Sequence, residues 1–191
     1  MEFTDIIRTG HIARWNLVRT HRDQTIAEHM YQVAMIAFEL AGKLEPFPHN
    51  KAPYFNAQTI LLYALWHDVE EIKSGDVPTP TKQFLSKHFD ADVGEVLDGM
   101  FWKPGVKEYE YIHEIGNDHI AIIKIADLME AIFFLETEGV GTFAIRVKEL
   151  LISRLGQMIA SLNIKYPNIP WQRAMDNTQL TLEKLKSGEY Y

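Results

Sequence analysis

The sequence predicts an all-α protein, and three observations predict it. Apolar residues recur at helical spacing in several long segments. No segment alternates apolar and polar residues over the length of a strand. Hydrophobic residues make up 47% of 191, enough for one compact core, since single cores serve chains up to roughly 250 residues. No repeat, low-complexity stretch or linker divides the chain. The reading is therefore one domain over residues 1–191, a bundle of about six or more helices.

The elements follow in order. Thr25-Ile26-Ala27-Glu28 has the form of a capping box, a hydroxyl followed three residues later by a carboxylate. Behind it Ile26, Met30, Val33, Ala37, Leu40 and Ala41 keep the helical period. Pro46, Pro48 and Pro53 mark a loop. Asn56 suits the cap of a second helix, through Ile60, Leu61, Ala64, Leu65 and Asp68 towards Ile72. Gly75 ends it, and Val77-Pro78-Thr79-Pro80 does not continue it. A shorter helix follows from about Thr81 to Phe89. Residues 90–117 read as short helices and loop around Trp102, Pro104 and Gly105. A strong helix covers about Asp118 to Glu138, with Ile122, Ile123, Ala126, Met129, Ile132 and Phe133 in register. Gly139 and Gly141 end it. The C-terminal helices, within 142–187, run near Thr142–Leu162 and Pro170–Ser187, the latter with proline in its first turn.

Composition narrows the function. There are no cysteines, which excludes disulfide scaffolds, thiolate metal sites and a cysteine nucleophile. A bound metal must take His, Asp or Glu. The net charge of −7 disfavours a nucleic-acid polymer as partner. No apolar run approaches the roughly 20 residues of a membrane span, and the first residues lack a signal-peptide pattern. A cytoplasmic location is expected.

Four residues stand out as metal ligands: His29, the adjacent His67-Asp68, and Asp127. Two imidazoles and two carboxylates suit Zn, Mn, Co, Fe or Ni and leave positions for water and substrate. Each is expected inside a periodic helix, the four on three different helices. Each also has an ordinary reading. A lone histidine in an amphipathic helix is more often a hydrogen-bonded core residue. Asp127 has Lys124 three residues earlier as an ion-pair partner. Glu71, three residues after Asp68, is expected on the same helix face, with Asp76 close behind. These carboxylates could accept a proton from water or orient it, or be a solvated face and a turn residue. Arg14, Trp15, Arg19 and Arg22 precede the first capped helix. A guanidinium fork suits phosphate oxygens, and an indole suits a base or sugar face. The plain alternative is a basic surface with one aromatic anchor.

The pattern His29, His67-Asp68, Asp127 resembles the H…HD…D signature of HD-domain phosphohydrolases. Three blocks resemble the bacterial 5′-deoxynucleotidases of that superfamily: Arg14-Trp15 through Glu28-His29, Tyr63 through Pro80, and Lys124-Ile125-Ala126-Asp127. They come in the family's order and cover most of residues 14–130, while 90–117 departs from it. The opening Arg8-Thr9-Gly10-His11 resembles phage-encoded HD proteins, some of which remove the whole triphosphate from dATP. The resemblance implies a single-domain helical HD bundle, often a homo-oligomer (dimer or higher). It implies one divalent ion per chain, Zn, Co, Mn, Fe, Ni or Mg, held by His29, His67, Asp68 and Asp127. It places Glu71 and Asp76 with the attacking water, Arg14 on phosphate and Trp15 beside the sugar. Arg19, Arg22 and Lys82 are further candidates for the substrate. The implied reaction is hydrolysis of a small deoxynucleotide at the 5′ α-phosphate, giving deoxynucleoside plus phosphate or tripolyphosphate. Two other classes stay open: a nucleotide-sensing HD domain without activity, and an HD phosphodiesterase with a second metal on His113 and His119.

Overall fold

The computed structural model describes residues 7–45, 55–69, 71–89 and 116–189. A 3₁₀ turn at Thr9–His11 is followed by helices α1 (Ile26–Leu44), α2 (Ala57–Ala64), α3 (Glu71–Ser74), α4 (Thr79–Phe89), α5 (Asn117–Glu138), α6 (Gly141–Lys165) and α7 (Gln172–Ser187). Among the described residues there is no sheet, only the isolated bridges Ala13–Thr25 and Thr20–Gly139. The all-α expectation holds. Residues 90–115 lie outside the described residues.

The central element is α5, which packs on α1, α2, α6 and α7. Twelve of its residues are buried, from Ala121 to Leu135. A helix apolar on nearly every side belongs inside a bundle. The core joins Val33, Ala37 and Leu40 of α1, Ile60 and Ala64 of α2, Ile122, Ile125 and Ile132 of α5, Leu155 and Ile159 of α6, and Trp171 before α7. Truncating such a buried Ile to Ala costs about 2–5 kcal/mol, because transfer energy and a cavity add.

Local sequence explains most boundaries. Thr25 caps α1, its hydroxyl accepting from Glu28 N–H at 3.2 Å, and the Asn56 side chain caps α2 by accepting from Thr59 N–H at 3.1 Å. Gly75 follows α3 at φ +70, a left-handed conformation that glycine adopts without a Cβ penalty. Gly139 stops α5, and a Cβ there would lie 2.5 Å from the Leu135 carbonyl. Gly141 does not end α5; it opens α6. Helix α4 begins at Thr79, two residues before the expected start. Pro170 precedes α7 instead of sitting in its first turn, since Trp171 is the cap.

One expectation fails where it matters for function. The single helix expected from Asn56 towards Ile72 breaks after Ala64. His67 Nδ1 lies 2.7 Å from the Ala64 carbonyl, the acceptor that a continuing helix would offer to the amide of residue 68. The bonds that follow are of the tighter kind: Trp66 N to Tyr63 O at 3.0 Å, and Val69 N to Trp66 O at 3.1 Å. His67 and Asp68 therefore stand on a turn between α2 and α3. Glu71 opens the next short helix instead of sharing a helix face with Asp68.

The segment before α1 is tied down at both ends. Arg14 N donates to Gln24 O at 2.8 Å and Ile26 N to Ile12 O at 3.0 Å, while His21 N donates to Glu138 O at 2.8 Å and Val140 N to Arg19 O at 2.9 Å. These bonds close a compact loop against α1 and the end of α5, and Arg14 and Trp15 sit at its start.

Candidate active site

Three elements converge on one point. Helix α1 supplies His29, the α2–α3 turn supplies His67 and Asp68, and α5 supplies Asp127. His29 Nε2 lies 3.4 Å from Asp68 Oδ2 and 3.3 Å from Asp127 Oδ1. His67 Nε2 lies 3.5 Å from the same Asp68 oxygen. One ligand atom each from His29, His67 and Asp68 falls within 4.8 Å of the others. The two rings face each other with centroids 5.3 Å apart.

The residues fit a metal ion. His29 Nδ1 is held by Glu130 Oε2 at 2.6 Å, and His67 Nδ1 by the Ala64 carbonyl. Both acceptors require a proton on Nδ1, which leaves the Nε2 lone pair directed at the carboxylates. Both Nε2 atoms are buried without a hydrogen-bond partner. Two nitrogens and two carboxylates, with no thiolate, form a donor set for a borderline or hard divalent ion.

Charge is balanced locally. Burial and Arg14 oppose a charged His29, but Asp127, Asp68 and Glu130 outweigh them and push its pKa well above the usual value. Burial disfavours ionised Asp68 and Asp127, yet the facing His29 and His67, with Arg14 for Asp68, hold both carboxyls below the usual range. The acceptors thus call for positive charge at their centre, whether a proton or a cation.

Glu71 behaves differently. Its side chain is 7% exposed, and Lys82 Nζ lies 3.3 Å from Oε1. Burial first, then Asp68 and Asp76, push its pKa up to about 8 despite Lys82 and Arg14. The other oxygen, Oε2, is buried without a partner. Asp76 Oδ2 accepts from Trp15 N–H at 3.3 Å, and the Asp76 carbonyl accepts from Asn16 Nδ2 at 3.4 Å. The bond from Trp15 N–H goes with a Trp15 φ of 66, a left-handed conformation that costs a bulky residue about 1–2 kcal/mol. The indole stacks on Phe134, centroids 5.9 Å apart and 5° from parallel.

Arg14 is the most buried guanidinium of the loop. Its side chain is 13% exposed, with Nη1 3.6 Å from Glu130 Oε2, yet Nε and Nη1 make no hydrogen bond. Asp68, Asp127, Glu130 and Asp76 outweigh burial and raise its pKa, so it stays charged. Arg22 is committed elsewhere: it forks onto Glu28 at 2.6 Å and reaches Glu138 at 3.2 Å. Arg19 is exposed, and its carbonyl serves the bridge to Val140. Of the expected second-metal histidines, His119 accepts from Asn56 N–H at 3.0 Å through Nε2 and lies 3.0 Å from Asp118 through Nδ1. It closes the start of α2. His113 lies outside the described residues.

Sequence reasoning missed Glu130 and Gln24. Glu130 is 1% exposed and Gln24 0%. A lone acid in the apolar face of α5, one turn after Asp127, was the available signal for Glu130. Gln24 had none.

The chain matches the family described as 5′-deoxynucleotidase YfbR-like over residues 2–138. It is 33% identical over 141 residues to a dATP triphosphohydrolase of Salmonella phage PMBT28, covering 73% of this chain and 69% of the relative. It is 42% identical over 86 residues to 5′-deoxynucleotidase YfbR of Escherichia coli O1:K1 / APEC, covering 44% and 41%. Among solved structures it superposes on the cyanophage S-2L HD phosphohydrolase DatZ, bound to dA and one catalytic Zn²⁺ ion. That match has a TM-score of 0.75 and 26% identity, over 96% of this chain and 98% of that one.

Proposed function

Because the chain belongs to the YfbR-like 5′-deoxynucleotidase family, we propose that it hydrolyses deoxynucleotides at the 5′ α-phosphate with one divalent ion per chain, dATP being its substrate. The observation that carries this is the meeting of two unpaired imidazole nitrogens, two carboxylates and the unpaired Nε and Nη1 of Arg14. That combination recognises a phosphate ester beside a cation. The choice of dATP rests on the phage relative, whose match extends over most of both chains.

His29, His67, Asp68 and Asp127 would hold the ion. When bound, it supplies a Lewis acid that lowers the pKa of water and neutralises phosphoryl charge. The remaining work belongs to the protein. Arg14 donates to the phosphoryl oxygens as charge develops there. Glu71, buried with one carboxylate oxygen unpartnered, accepts the proton of the attacking water. Lys82 balances that carboxylate at 3.3 Å. Asp76 fixes the backbone of Trp15, whose indole walls the site beside Arg14, 5.8 Å from ring centroid to guanidinium. Water adds to the α-phosphorus and the bond to O5′ breaks. Deoxyadenosine leaves with a proton, and tripolyphosphate carries the oxygen of water.

The soluble, cytoplasmic and homo-oligomeric character of the enzyme belongs to the same proposal. Among the described residues no helix is long and apolar enough to cross a membrane. Tyr31, Met35 and Phe38 are 60%, 50% and 47% exposed on one face of α1, a surface that suits a dimer or larger assembly.

Product analysis tests the reading. Purified protein with Co²⁺ or Mn²⁺ is incubated in parallel with dAMP, dATP, dGTP and ATP. Deoxyadenosine plus tripolyphosphate from dATP, with ATP spared, is the expected result. Turnover of dAMP with dATP intact would make it a 5′-deoxynucleotidase, as the Escherichia coli relative is named. No product from any of them would return the sensor reading to first place.

A further inference from the structure

Behind His29 runs a buried chain of hydrogen bonds that the hydrolytic steps do not use. Trp15 Nε1 donates to Gln24 Oε1 at 2.9 Å. Gln24 Nε2 donates to Glu130 Oε1. Glu130 Oε2 lies 2.6 Å from His29 Nδ1. Gln24, Glu130 and His29 are 0%, 1% and 0% exposed, so water offers no ready substitute for these partners. The chain joins residues 15, 24, 29 and 130, from three separate parts of the molecule.

Its polarity is fixed at one end. An indole N–H only donates, so the amide oxygen of Gln24 must face Trp15. The amide NH₂ then faces Glu130, whose oxygen accepts. The flipped amide would set two donors against each other at Trp15 and two acceptors against each other at Glu130. With both Glu130 oxygens accepting, His29 Nδ1 must donate, and its Nε2 lone pair is turned towards Asp68 and Asp127. The orientation of the indole and the tautomer of His29 are thus set by one continuous network.

We infer that Gln24 and Glu130 are positioning residues that couple the indole wall at Trp15 to the metal ligand His29. The metal half of this inference rests on the site geometry. The substrate half rests on the deoxynucleotide reading above. Loss of the Gln24 link leaves the half-buried indole N–H and one buried Glu130 oxygen unpaired, and both ends then lose their fixed orientation. Trp15 is held at its backbone by Asp76 and at its ring by Gln24, so the wall is clamped from the α3–α4 side and from the residue before the α1 cap together.

The test titrates the full chain with Co²⁺, whose visible absorption reports ligand orientation, and measures kcat/KM for dATP and ATP with the same samples. Glu130→Gln is expected to weaken Co²⁺ binding about 10–100-fold, the usual effect of removing a partner behind a metal ligand. Gln24→Met, which keeps the shape and removes both bonds, is expected to weaken it roughly three- to tenfold and to shift the Co²⁺ spectrum. Trp15→Phe keeps an aromatic ring on Phe134 and removes the N–H together with one ring of the indole, so its Co²⁺ spectrum, which a smaller wall alone would not move, is the readout of the relay. It is expected to narrow the dATP-to-ATP ratio about fivefold and to change the Co²⁺ spectrum in the same direction as Gln24→Met. Wild-type affinity, spectrum and ratio in both Gln24→Met and Trp15→Phe would overturn the inference. An altered spectrum with an unaltered ratio would overturn the coupling to the wall. Should Gln24→Met fail to fold, Trp15→Phe decides, since its ring is only half-buried. Should the wild type cleave no deoxynucleotide, the functional reading falls, and the Co²⁺ arm still judges the relay.

Discussion

The site is made of two unlike halves. His29 and Asp127 project from α1 and α5, long helices whose apolar faces pack against each other in the core. His67 and Asp68 stand on a turn made by breaking a helix, and the short α3 with Glu71 follows directly. In the helical half His29 is fully buried and backed by Glu130. In the turn half the carboxyl of Glu71 is buried with one oxygen left open. The difference teaches a division of labour. The helical half fixes ligand positions through packing that is costly to deform. The turn half brings a group of shifted proton affinity to the edge of those ligands.

Two substitutions separate the halves. The larger effect is expected from Asp127→Ala in the helical half. Its removal takes away one of the four proposed ligands and leaves Asp68 as the carboxylate facing His29 Nε2. Metal content per chain should fall well below one, dATP hydrolysis should drop to background, and the far-ultraviolet circular dichroism should keep its helical amplitude. Normal turnover by this variant would show that the metal is held elsewhere. Next comes Glu71→Gln in the turn half. It keeps all four proposed ligands, so metal content should stay at the wild-type level. The loss of the proton acceptor should lower kcat about 10²–10⁴-fold. If Glu71→Gln also lost its metal, the two halves would not be separable as described.

The same contrast decides what could be read from the sequence. The helices α1 and α5 were legible because their apolar spacing and caps are local signals, and His29 and Asp127 inherit positions from them. The His67-Asp68 pair was legible as candidate ligands but misplaced on a helix. Leu61, Ala64, Leu65 and Asp68 keep helical spacing through the break. What breaks the helix is a side chain, His67, taking the Ala64 carbonyl, and no periodicity reports that. Glu71 was found for its proximity in sequence, while the partner of its other oxygen, Lys82, is brought alongside by α4. Gln24 and Glu130 meet across 106 residues of chain, beyond the reach of any local pattern.

The smallest expected effect sharpens the comparison without any turnover, in metal-free protein. Burial, Asp68 and Asp76 raise the Glu71 pKa from 4.5 to about 8. A raised carboxyl binds its proton more tightly folded than unfolded. Its contribution to stability is therefore fully present below about pH 4.5 and is lost as pH rises through about 8. Asp68 and Asp127 run the other way, because their folded pKa values are depressed; their contribution is present above the unfolded value and lost as pH falls. Glu71→Gln removes only the first dependence, since a neutral amide has no proton to lose. The variant should match the wild type near pH 4 and melt higher than it above pH 8. The gap should be on the order of a few kcal/mol at most, or roughly 5–10 °C for a chain of this size. Thermal melts in chelator across that pH range measure it. Equal melting temperatures above pH 8 would mean that Glu71 carries its charge in the folded protein at little cost. The turn half would then differ from the helical half in shape alone, and Glu71 would have to act as a carboxylate that orients water.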